Sequence, residues 1–257
     1  MRMKIFFLSF YFISTVTYAS TCSKPLYLTF DTGNMAVAEL VADTLRKNHI
    51  KATFFLANEK TKRGDYSLDD SWASFWKNLK SDGHAFGNHT YHHTYFVRDL
   101  EGYKVLTRPQ FGPSAGKKVV TDQASLCQEL QLVNQRFKKM TGSPLDPIWR
   151  APGGKVSSGY IEMGHICGYT HVGWSPAGFL GDELSSEKFS NNYLLDKALK
   201  DIRAGDILMA HLGIWSRQDA WAPTVLEPLI VGLKSQGYCF ETVRSAKQNS
   251  QISRIIE

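Results

Sequence analysis

The most constraining feature of this chain is a repeated pattern: a short apolar run, a polar turn, then a stretch of helical period. The run Pro25-Leu26-Tyr27-Leu28-Thr29-Phe30 is apolar and β-prone, and it stops at Asp31-Thr32-Gly33-Asn34, a turn signal. Residues 36–48 follow with apolar positions at Val37, Leu40, Val41 and Leu45, a helical spacing. Ala52-Thr53-Phe54-Phe55-Leu56 then reads as a fully buried strand, and Trp72, Phe75, Trp76 and Leu79 share one face of a helix over 72–81. Further strands are expected over 83–88, 147–149, 170–174, 206–210 and 238–243, with helices over 125–140, 157–167, 192–202 and 223–235. Only between 97 and 120 does periodicity fade, where Gly102, Pro109, Gly112, Pro113 and Gly116 interrupt the chain; this stretch reads as a loop-like insertion near a site mouth.

Apolar strands alternating with helices imply parallel βα units, and about seven of them fit one α/β domain, a distorted (β/α) barrel of parallel strands. An open doubly wound sheet is the alternative. The 257 residues, with 43% hydrophobic content, suffice for a single large core. No repeat, low-complexity tract or linker marks a second domain.

The first 19 residues read as a signal peptide rather than as part of the fold. Arg2 and Lys4 precede an apolar run from Ile5 to Val16, and Thr17-Tyr18-Ala19 leads to Ser20. The run is short of the roughly 20 apolar residues that span a bilayer, so no stable membrane insertion is expected. Cleavage after Ala19 makes residues 20–257 the mature domain, exported to the periplasm or secreted; Thr21 makes Cys22 a poor lipid-attachment site. The loss of Arg2 and Lys4 lowers the net charge from +6 to +4, mildly basic and too weak to argue for a nucleic-acid partner. Four cysteines, Cys22, Cys127, Cys167 and Cys239, allow three pairings in an oxidising compartment. A barrel closing with its first and last strands adjacent favours Cys22–Cys239, which leaves Cys127–Cys167 to link two helices.

The residues with chemistry fall just after predicted strands, the end where parallel barrels build their sites. Half of the eight histidines lie between His84 and His93. His89 and His93, four apart, would share one face of a helical turn and could hold one divalent ion, with His92 pointing elsewhere. Asp31, Arg150 and His211 each end an apolar run. Taken singly they read as a turn aspartate, a loop arginine and a buried core histidine.

Together the motifs resemble the polysaccharide deacetylase family, carbohydrate esterases related to rhizobial chitooligosaccharide deacetylases. The resemblance rests on Thr29-Phe30-Asp31-Thr32-Gly33, His89-Thr90-Tyr91-His92-His93, Arg150-Ala151-Pro152-Gly153-Gly154 and Leu208-Met209-Ala210-His211, and it spans 25 to about 243. It implies a metal-dependent hydrolase that removes N-acetyl groups from an amino-sugar polymer. His89 and His93 would bind the metal, Zn²⁺ first and Co²⁺ or another first-row ion as alternatives. Asp31 would be the general base, Arg150 its partner, and His211 the acid toward the leaving amine. A backbone N–H near Gly153 would meet the oxyanion, and Trp174 would line the substrate site.

Two departures stand out. Thr32 occupies the position of a second, metal-ligating aspartate, where some muramic-acid-directed relatives carry Asn. The family's acidic positions around its tryptophan region hold Ala177 and Leu180, leaving Asp182 as the nearest carboxylate that could orient His211. Peptidoglycan is the expected substrate, ahead of chitin oligosaccharides and acetylated xylan, for a monomeric enzyme. The alternatives are a non-catalytic glycan-binding protein, favoured by Thr32, and a small-molecule amidase, favoured if the 97–120 insertion closes the site.

Overall fold

A computed structural model describes residues 22–246 of the chain; the expected signal peptide lies outside the described residues. Strand β1 (Pro25–Asp31) sits at the centre of a seven-stranded sheet. It pairs on one edge with β2 (Thr53–Leu56) and β10 (Cys239–Phe240), and with β9 (Ile207–His211) in register from Tyr27↔Ile207 to Asp31↔His211. From β2 the sheet continues through β3 (Ala85–Asn88) and β7 (Ile148–Trp149) to β8 (Thr170–His171), and every pairing is parallel. The sheet curls, and backbone bonds from Ser175 N–H to the Ile207 carbonyl and from Leu180 N–H to the Met209 carbonyl tie the chain beyond β8 back to β9. The result is the expected distorted barrel.

The two-residue period of β1 assigns its faces. Leu26, Leu28 and Phe30 pack outward among helices α1 (Ala38–Lys47), α2 (Ala73–Ser81) and α6 (Trp221–Ser235), in the main core. Tyr27 instead joins Phe55, Ile148, Val172 and Ile207 in a smaller cluster. Thr29 and Asp31, of the same parity as Tyr27, continue that face toward the strand's C-terminal end. A third cluster gathers Trp149 and Tyr160 with residues of α3 (Gln123–Thr141) and α4 (Ser158–Ile166), and α5 (Asn191–Asp201) precedes β9. A last short helix, α7, spans Val243–Ala246. Among the described residues no helix is long and apolar enough to cross a membrane.

Both expected disulfides form. Cys22–Cys239 joins the approach to β1 to β10, where Pro25 already faces Cys239, and Cys127–Cys167 joins α3 to the end of α4. Helix α3 begins two residues before the expected Ser125, because the Asp122 carboxylate accepts the Ser125 N–H and caps the helix earlier. Leu40, expected inward on α1, is 38% exposed.

Three expectations change. The 97–120 stretch is not loop-like: β4 (Thr94–Leu100), β5 (Lys104–Pro109) and β6 (Val119–Asp122) form a separate antiparallel meander. Of its breakers, Gly102 lies in the β4–β5 turn and Gly112, Pro113 and Gly116 lie between β5 and β6, while Pro109 ends β5 opposite Thr94; a register shift between Phe96 and Arg98 blurs the alternation. The strand expected over 170–174 pairs only at Thr170–His171, since the carbonyls of Val172 and Gly173 are taken by the Arg150 side chain. The strand expected over 238–243 pairs only at Cys239–Phe240, because α7 starts at Val243.

Candidate active site

The strand register brings the polar residues to one end of the barrel. Asp31 and His211 are partners at the ends of β1 and β9. At the end of β3, Asn88 faces Trp149 of β7, which places His89 and Arg150 on adjacent chains. The His89–His93 segment is a turn, not the expected helical turn. The Asn88 side chain accepts the Thr90 N–H, the Thr90 hydroxyl accepts the Thr94 N–H, and both Thr90 and His93 take left-handed backbone angles. The turn still brings the His89 and His93 rings together, with centroids 5.0 Å apart. His92 points away and bonds Glu129 at 2.6 Å.

Arg150 is fully buried beneath the site and uses its whole guanidinium. It donates to Asp31 Oδ1 and the Thr29 hydroxyl, each at 2.9 Å, and to the Val172 and Gly173 carbonyls, with its plane 4.1 Å from the Phe55 ring centre. Burial would raise the Asp31 pKa, but Arg150 first, then His89 and His211, hold it below the ordinary 3.8. Asp31 is therefore an ionised carboxylate, with Oδ2 not engaged by Arg150.

That oxygen lies 3.5 Å from His89 Nε2. His89 Nδ1 sits 2.9 Å from the Arg150 carbonyl, which can only accept, so Nδ1 carries the proton and Nε2 the lone pair. Burial pushes the His89 pKa down to about 4, so the ring is neutral near pH 7. A lone pair and a carboxylate oxygen thus face each other with no proton between them. His93 Nδ1 is buried without a protein partner. Both observations fit a cation held by the imidazoles. Among the described residues no three His, Cys, Asp or Glu side chains already converge as a closed ligand set; the two rings are the part of the set that is preformed.

Opposite Asp31, the Asp182 carboxylate accepts the His211 backbone N–H at 2.7 Å and sits 3.1 Å from Nδ1 of its ring. Burial alone would lower the His211 pKa, but Asp182, Asp31 and Glu183 overcome it and raise the group to about 10. Ala177 and Leu180 take no such role; Leu180 is core, and its N–H serves barrel closure.

An open cleft of about 300 Å³ connects these groups and is also lined by Gly153, Trp174, Tyr95, Phe111, Glu183 and Trp215. Gly153 and Gly154 both have positive φ, and a β-carbon on them would reach within 2.7 Å of Tyr95 and 2.3 Å of Trp174. The glycine pair lets the cleft floor pass between two aromatic rings. Thr32 does not face the cleft as a ligand. Its buried hydroxyl accepts the Ala57 N–H and donates to Glu59 Oε1 at 2.6 Å.

The polysaccharide deacetylase profile matches residues 18–172. The chain belongs to the polysaccharide deacetylase family. Membership makes it a hydrolase of the amide-cleaving kind. It is 29% identical over 225 residues to a peptidoglycan-N-acetylmuramic acid deacetylase of Bacillus subtilis, covering 87% of this chain and 72% of that protein. It is 26% identical to a peptidoglycan-N-acetylglucosamine deacetylase of Bacillus cereus, covering 86% of each. Its fold matches a family 4 acetyl xylan esterase of Clostridium thermocellum, solved with a cobalt ion, with a TM-score of 0.66 at 20% identity over 88% of this chain and 91% of that one.

Residues of this deacetylase that sequence reasoning missed are Glu59, Tyr95, Phe111, Glu183 and Trp215. Glu59 offered the same signal as Asp31, a lone carboxylate just past a buried strand. Burial would raise its pKa, but His93 and then the Thr32 hydroxyl hold it below the ordinary 4.5. Burial is also the main reason that the Glu183 pKa is raised.

The Asp182–His211 pair gives this deacetylase a pH signature. A histidine held near 10 when folded contributes stability that is complete below its ordinary 6.5 and lost as pH rises toward about 10. In Asp182→Asn the alkaline limb of the acetate-release profile is expected to fall from about 10 toward 6.5. A limb that stays in place would show that Asp182 does not set the His211 proton.

Proposed function

We propose that residues 20–257 form an exported, metal-dependent N-deacetylase of peptidoglycan, in which His89 and His93 hold the ion and Asp31, Arg150 and His211 serve the chemistry. The observation that carries this reading is the pairing of an ionised Asp31, bound to Arg150, with a protonated His211, bound to Asp182, across one cleft. A protein that merely bound glycans would gain nothing from burying such a base and acid together.

When bound, the ion supplies Lewis-acid chemistry to the acetyl carbonyl and to water, with Zn²⁺ preferred and Co²⁺ or another first-row ion as alternatives. Arg150 holds Asp31 Oδ1, so Oδ2 takes the proton of the attacking water. Gly153 lines the cleft, and its backbone N–H would meet the oxyanion as the acetyl carbon becomes tetrahedral. His211 Nε2 gives its proton to the departing nitrogen as the C–N bond breaks, with Nδ1 fixed by Asp182. Acetate and a free sugar amine leave, and Asp31 and His211 exchange their protons with solvent for the next turnover.

Peptidoglycan is preferred over chitin oligomers because both quoted bacterial relatives are named for it. Tyr95, Phe111, Trp174 and Trp215 line an open cleft, a shape suited to polymer sugars presenting their apolar faces. The two disulfides and the mildly basic mature chain agree with export to an anionic cell wall.

The test is acetate release by the folded protein from purified peptidoglycan and from chitin oligomers, after chelation and again after Zn²⁺ or Co²⁺ is restored. Chelation is expected to abolish release, and metal to restore it, with peptidoglycan the better substrate. No release from either polymer with any metal would leave the glycan-binding reading that Thr32 favours.

A further inference from the structure

We infer that Glu59 supplies the anionic ligand of the ion held by His89 and His93, taking over from the aspartate that Thr32 replaces. This inference rests on the metal-dependent reading proposed above.

Glu59 is held in place by neutral donors. Its carboxylate is buried three residues past the end of β2 and lines the same cleft as Asp31, His89 and His93. Thr32 Oγ1 lies 2.6 Å from its Oε1, and the Gly33 N–H donates to the same oxygen at 2.9 Å. Because the Thr32 hydroxyl already accepts the Ala57 N–H, its own proton is directed to Glu59. Both hydrogen bonds therefore fix Oε1, and Oε2 takes part in neither.

The electrostatics then ask for a cation. A buried carboxylate is costly unless it is paired. Among the described residues no Lys or Arg forms an ion pair with Glu59, whereas Asp31, its neighbour in the cleft, has Arg150. Two neutral donors orient Glu59 without neutralising it. The nearby groups able to bring positive charge are the imidazoles, and His93 has a buried ring nitrogen with no protein partner.

The substitution at Thr32 fits the same arrangement. An aspartate there would put a second carboxylate against Glu59, and the two anions would repel. Threonine removes that charge and turns the position into a clamp for the glutamate. The ligand set would be two histidines and a glutamate, a combination known in catalytic zinc sites. The Glu59 carboxylate would turn toward the imidazole pair when the ion binds, since the three do not converge without it.

The test reads metal binding directly, by zinc titration of the full mature protein and by metal content after dialysis. Glu59→Gln keeps an oxygen for Thr32 and Gly33 but loses the charge. It is expected to weaken zinc binding by at least about 10²-fold, since outer partners of a metal ligand alone cost about 10–100-fold. Restoring a carboxylate with Thr32→Asp in the Glu59→Gln background is expected to recover most of that affinity. A crystal structure of the zinc-loaded wild type, which needs no variant to fold, is expected to show a Glu59 oxygen about 2.0–2.2 Å from the ion. Wild-type-like zinc affinity in Glu59→Gln, or a bound ion out of reach of Glu59, would overturn the inference and leave the metal-dependent reading standing. Wild-type protein that takes up no zinc or cobalt would overturn both.

Discussion

Asp31→Asn is expected to cut acetate release by about 10²–10⁴-fold, the usual contribution of a positioned general base. The amide oxygen can still accept from Arg150 Nη1, so the geometry beneath the site has a way to persist. What disappears is the second oxygen's ability to take a proton from water. Near-ultraviolet circular dichroism and metal content are expected to match the wild type, while turnover collapses. Unchanged turnover would remove Asp31 from the mechanism.

Arg150→Met is expected to destabilise the fold by about 3–5 kcal/mol, the cost of leaving one member of a buried ion pair without its partner. The methionine fills much of the volume but leaves the Asp31 charge, the Thr29 hydroxyl and two carbonyls without their donor. Urea unfolding at neutral pH measures the loss. Asp31 has a depressed folded pKa, so its stabilisation is present above its ordinary 3.8 and is lost as pH falls through the folded value. The deficit of the variant relative to wild type should therefore shrink in acid. The double variant Asp31→Asn/Arg150→Met should lose less than the sum of the two single losses, because the unpaired charge is gone. Strict additivity would mean that the pair is not coupled.

Much of the site was legible because parallel strands announce their ends. Asp31, His89, Arg150 and His211 each follow an apolar run, and the barrel's register brings these ends together without any one residue carrying a strong signal. The His89–His93 spacing suggested convergence for a different reason than the one found. A helical turn and an Asn88-anchored turn can both bring residues four apart face to face, and only coordinates distinguish them. Asp182 was legible as the nearest carboxylate, but not its grip on both the backbone and the ring of His211. Glu59 carried the same signal as Asp31 but no motif around it, and a lone glutamate after a strand is usually solvated; its burial depends on Thr32 and Gly33 at the end of the neighbouring strand. The meander escaped notice because its strands are broken by turns and a register shift, which erase the two-residue period on which strand recognition rests.

The placement of β1 has a consequence for how the enzyme comes into being. The strand that carries Asp31 is made early, yet the hydroxyl of its Thr29 bonds a carbonyl 179 residues further on, in β9. An emerging chain can offer β1 one neighbour early, in β2, but the other edge stays open until nearly all of the polypeptide is available. His211, at the end of β9, arrives with that late neighbour, while Cys22–Cys239 ties the approach to β1 to β10 on the opposite edge. Asp31 and His211 therefore become neighbours only once β9 has joined β1, so the cleft cannot be complete before that late strand is in place.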